Sequence, residues 1–191
     1  MGHTEFLVGQ SGQNFSNVRE AIFKLEDLSV IFMRRWSQKE MEQAGAASAE
    51  AMKCFDYIAM ELFRHRDDMK SDSTYARSIF ASEMLIPTGL MVAPVLISDQ
   101  MAVGDAGPGE GKLPINLAAP IGIDLVTTLN KVRHRNASIA NFRIENDSRH
   151  IFVICPTKQG GGADSVVEFD VQVFCTNCRS AALQISPPTD R

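Results

Sequence analysis

Four cysteines, Cys54, Cys155, Cys175 and Cys178, are the side chains of this sequence best suited by type to hold a metal. In Cys175-Thr176-Asn177-Cys178 the two intervening residues let both sulfurs face one tetrahedral ion, and Cys155 can approach them across a hairpin. Cys155, Cys175 and Cys178 are therefore candidate ligands of a structural zinc, with Cys54 or a histidine such as His150 as the fourth. Against this stands the plainer account, small buried thiols with no ligand. Their uneven spacing in a chain with an ordinary core gives no disulfide framework.

Residues 155–178 loosely resemble a zinc ribbon, and that resemblance would imply a hairpin bringing two cysteine pairs together. The sequence departs from the pattern at Lys158, which stands where a fourth thiolate belongs.

A second chemistry is anion binding. Lys131, Arg133, His134 and Arg135 form a short basic segment, and Arg149 follows downstream with Arg143 and His150. If the intervening strands align them, they make a local positive face for phosphate, a nucleic-acid backbone or an acidic partner. Glu145 and Asp147 interleave, and aromatic residues for base stacking are sparse, so nucleic acid is not favoured.

Other candidates are weaker. The glycine-rich run at 104–112 ends in Gly111-Lys112, but Ala106 and Leu113 occupy the outer glycine and hydroxyl positions of a phosphate-binding loop. That run could instead form a lid over a small pocket containing Asp124, which sits in the apolar stretch Ile121-Gly122-Ile123-Asp124-Leu125. His65, between Arg64 and Arg66, falls near a helix end, where a cation favours the helix dipole.

The elements that must position these groups are readable in part. Val18, Ile22, Leu25, Leu28, Phe32 and Trp36 recur every three or four residues, one stripe of a helix, and Phe23, Val30, Ile31 and Met33 add apolar surface outside it. Ser37-Gln38-Lys39-Glu40 reads as a capping box opening a second helix to about Met69, with Ala44, Ser48, Ala51, Phe55, Ile58 and Leu62 on one face. An antiparallel helical hairpin is expected. A third short helix fits Thr74–Met84, after the turn cluster Ser71–Thr74.

Beyond Pro87 a buried strand fits Leu90–Ile97, while Ile121–Val132 suits a strand or a helix equally. Ile139–Ile144 and His150–Cys155 read as strands joined by a turn at Asn146-Asp147-Ser148. Val167, Phe169, Val171 and Val173 alternate with polar residues, the period of an antiparallel strand with one wet side. The expected fold is thus α+β: an N-terminal antiparallel hairpin of two to three helices, then an antiparallel sheet. One domain spans 16–185, helical over 16–84 and mainly β over 85–185 with a loop at 104–112. Residues 1–15 are a flexible lead-in and 186–191 a disordered tail.

Composition limits the function classes. A hydrophobic fraction of 45%, a charged fraction of 22% and a net charge of -4 describe an ordinary globular chain and exclude a strongly basic nucleic-acid binder. No membrane span and no secretory signal are read, and the expected setting is cytoplasmic. The excess apolar surface on the first helix suits helix-to-helix association. The expectation is a non-catalytic regulatory, adaptor or assembly protein that forms a homo-oligomer, a dimer or larger. Val18, Ile22, Leu25, Phe32, Trp36, Ala44, Ala51 and Phe55 are its candidate interface, and another protein is a possible partner. The anion or nucleic-acid module and a small enzyme under the 104–112 loop are the alternatives.

Overall fold

The structure is a computed structural model that describes residues 17–114, 119–146, 148–157 and 164–185. The expected lead-in at 1–15 and tail at 186–191 lie outside the described residues. The fold class is α+β, with the helical pair first and a five-stranded antiparallel sheet after it.

Helix α1 (Val18–Ser37) starts where the Asn17 side chain accepts a hydrogen bond from the Glu20 amide at 3.0 Å. Glu20 in its first turn and Arg34 and Arg35 in its last turn suit the helix dipole. Helix α2 (Met41–Lys70) follows a tight break at which Lys39 has φ 60. The capping box expected at Ser37–Glu40 is not made. Ser37 is the last residue of α1, its hydroxyl turned back onto the Arg34 carbonyl, and the Glu40 carboxylate pairs with Arg35.

The expected third helix is split. A 3-10 turn (Tyr75–Arg77) ends at Ser78, whose extended backbone and hydroxyl cap the separate helix α3 (Ile79–Glu83). Strand β1 (Pro87–Val92) is shorter than expected. Ile97 lies in helix α4 (Ile97–Asp105), opened by the Asp99 carboxylate, which accepts from the Leu96 amide at 2.7 Å.

The ambiguous 121–132 segment proves to be both alternatives in series. Strand β2 (Ile121–Asp124) passes without a linker into helix α5 (Leu125–Arg133), where the Asp124 carboxylate accepts from the Thr127 amide at 2.8 Å. Strands β3 (Arg135–Glu145) and β4 (Arg149–Pro156) form the expected hairpin. Strand β5 (Val166–Asp170) does not run on to Val173 as its alternation suggests. The Asp170 carboxylate accepts from the amides of Gln172 and Val173, and helix α6 (Val171–Ala182) begins there. A local cap overrides the period-two pattern.

The sheet order is β2-β1-β5-β4-β3, and every neighbouring pair is antiparallel. Register puts Phe152 beside Phe169 and Ile154 beside Val167 on the face that meets α1, α2, α5 and α6. The alternate residues Ile151, Val153, Cys155 and Val166 point the other way, into a second cluster with Val92, Val95, Val103 and Leu113. Helix α4 and the segment after it supply that cover. With both faces covered, β4 is apolar along most of its length, as burial on both sides requires. Among the described residues no helix is long and apolar enough to cross a membrane.

Candidate functional site

The most chemically suggestive contact joins the helical layer to the sheet. Ser29, on the buried side of α1, lies 2.9 Å from Nδ1 of His150 near the start of β4. The imidazole stacks on Phe32, with ring centres 4.9 Å apart, and meets the edge of Phe142 at 5.9 Å. Desolvation pushes its pKa down to about 4, although the charge of Asp170 acts in the opposite direction. At neutral pH the ring is therefore uncharged. A neutral imidazole offers one donor and one acceptor, so ring and hydroxyl satisfy each other.

A hydroxyl beside a neutral imidazole is the core of a nucleophile–base pair. The space beside it decides what that pair can do. The cavity, bounded by Leu28, Phe32, Ser48, Met52 and Phe152, measures about 30 Å³, enough for one water and far below a substrate. The pair acts as a polar rivet between α1 and the sheet. Sequence reasoning missed it, although Ser29 stands at a buried position of α1 where an apolar residue would be ordinary.

The basic segment is not gathered into one face. Arg135 and Arg149 sit at opposite ends of the β3–β4 ladder, opposite Pro156 and Glu145. Arg135 grips Asp56 with both ends of its guanidinium at 2.6 and 3.0 Å, and Arg149 bonds Asp170 and Glu145. Lys131 donates to the Ser165 hydroxyl at 3.1 Å, and burial lowers its pKa. Arg133 lies 6.0 Å from the ring centre of Phe63, and the His134 carbonyl accepts from Thr157. Arg143 adds a bidentate pair with Glu168 at 2.6 and 3.1 Å. Asp56, Glu145, Glu168 and Asp170 thus occupy the guanidinium groups of Arg135, Arg143 and Arg149.

The cysteines do not converge either. Cys175 and Cys178 lie on α6, not at the end of a hairpin, and are fully buried in the main core with Cys54. Cys155 is on the other side of the sheet. All four are free thiols, and burial raises each pKa, to about 11 for Cys54 and about 12 for Cys155. Among the described residues no three of His, Cys, Asp or Glu are grouped to hold a metal ion.

The segment after α4 is tied down instead of poised as a lid. Asn141 Nδ2 donates to the carbonyls of Val103 and Gly107 at 2.8 and 2.9 Å, and its Oδ1 accepts from the Gly109 amide at 3.2 Å. The Gly111 amide bonds the Phe142 carbonyl, and Arg143 donates to the Gly111 carbonyl. Gly109, at φ 90, packs against the Trp36 indole. An open groove of about 350 Å³ remains between α4 and this segment, bordered by Asp99, Glu110 and Lys112. Asp124 does not border it, and its carboxylate caps α5.

Of the expected interface residues, Val18, Ile22, Leu25, Phe32, Ala44, Ala51 and Phe55 are buried within one copy, where α1 packs on α2 and α6. Trp36 is half-buried, stacked on Phe32 and edge-on to Phe142. The seven buried residues build the fold of one copy. What α1 does present is the surplus outside that stripe: Phe23, Val30 and Ile31 are 54%, 58% and 45% exposed. The chain matches no family model, no curated protein and no solved structure.

Proposed function

We propose that the protein is a non-catalytic assembly protein that associates through the outward face of α1. The observation that carries this reading is the placement of three large apolar side chains on the solvent side of a helix whose other side is already fully used. Exposed single apolar residues are ordinary, but several on one helix face mark an association surface. The tightness of the Ser29–His150 cavity supports a non-catalytic role.

The test is the native mass of the full chain at tens of micromolar, compared with a Phe23→Ser, Ile31→Ser variant. An oligomer that the double variant dissolves, with its unfolding midpoint kept, is the expected result. A parent chain that is monomeric throughout would sink the reading.

A further inference from the structure

Phe23, Asp27, Val30, Ile31 and Arg34 are spaced four, seven, eight and eleven residues from the first, so they share one face of α1. All five are exposed. Asp27 and Arg34 stand symmetrically about the Val30–Ile31 midpoint, and neither side chain has a hydrogen-bond or ion-pair partner among the described residues. At seven residues apart, roughly 10 Å along the axis, they cannot pair with each other within the helix.

We infer that this face takes a second copy of the same chain, with the two α1 helices antiparallel about a two-fold axis between Val30 and Ile31. The inference rests on the reading that α1 is the contact surface. In this arrangement Asp27 of each copy meets Arg34 of the other, and Val30 meets Ile31. A parallel pairing would set Asp27 against Asp27 and Arg34 against Arg34. Charge complementarity thus selects both the partner and the direction, because a two-fold contact must be self-complementary.

Charge reversal tests the pairing. Asp27→Arg and Arg34→Asp are made separately, then combined in one chain, and native masses are measured by sedimentation. Each single variant places two like-charged pairs in the contact and should weaken dimerisation on the order of tenfold or more. An equimolar mixture of the two single variants restores both attractions, as does the double variant, so each should dimerise like the parent. Both sites are exposed, so the unfolding midpoints should stay near that of the parent.

Three results would overturn the pairing. A parent dimer indifferent to both reversals leaves association through α1 standing but removes this register. A mixture that fails to recover does the same. A monomeric parent removes both.

Discussion

Ser29 and His150 are 121 positions apart in the chain and share a hydrogen bond of 2.9 Å across the boundary between α1 and the sheet. The bond keeps two polar groups satisfied inside an apolar wall of Leu28, Phe32 and Phe152. Burial in that wall disfavours a charge on the ring.

Acid should therefore loosen the molecule early. The ordinary histidine pKa of 6.5 applies to the unfolded chain, and burial lowers the folded value to about 4. Between those pH values the unfolded chain binds a proton that the folded chain refuses. Stability from this group is complete above the upper value and falls as pH drops toward the lower, by on the order of 3 kcal/mol. Urea unfolding from pH 7 to 4.5 measures it. His150→Phe should be less stable at pH 7 by about 1–2 kcal/mol, because the Ser29 hydroxyl loses its partner, yet flatter with pH. An unchanged slope would show that other groups set it.

Asn141 should behave as the anchor of the segment that follows α4. Replacing it with alanine strips Val103, Gly107 and Gly109 of their side-chain partner. A loss of about 2–4 kcal/mol is expected, with faster hydrogen exchange at the Gly109 amide. Unaltered exchange there would mean that the segment holds itself.

Two glycines should respond in opposite directions to alanine. A Cβ on Gly111 would stand 2.9 Å from Asn141 Cβ and 3.0 Å from the Phe142 amide nitrogen, so β3 or the segment must shift. The expected cost is roughly 1–3 kcal/mol. Gly45 lies in α2 with nothing within 4 Å of its added Cβ, and Gly45→Ala should stabilise by about 0.5–1 kcal/mol. Denaturant midpoints decide both, and equal effects would contradict this packing.

The thiols should be silent in the native protein. All four are buried with raised pKa values, so iodoacetamide at pH 8 should label none until denaturant is added. Rapid labelling of Cys175 or Cys178 under native conditions would place α6 far more openly than it is found.

The helical pair was legible because Val18 to Trp36 keeps one period of 3.6, and the β3–β4 hairpin because two short apolar runs flank a turn at Asn146-Asp147-Ser148. The later helices were not. Val171 and Val173 extend the alternation of Val167 and Phe169, and only the cap at Asp170 ends the strand. Ile121–Val132 changes period at Asp124, so a single window averages two elements.

At the site level, apolar stripes announce that something must cover them, but not whether it is the chain's own sheet or another copy. The stripe of Val18, Ile22 and Phe55 fits an outward contact as well as an inward one, and in the fold it lies inward. The basic segment reads as one face for a related reason. Asp56, the partner of Arg135, comes from a helix far away in sequence. Ser29 and His150 were each visible, but their meeting depends on how α1 lies across β4.

The passages from β2 to α5 and from β5 to α6 contain no spare residue between strand and helix. One inserted amino acid there would turn the whole helix by about 100°, carrying Phe174 and Cys178 out of the core or Leu129 and Val132 away from it. The two seams are therefore places where chain length is rigidly set. A scan of single-residue insertions along the protein should find them among its least forgiving positions.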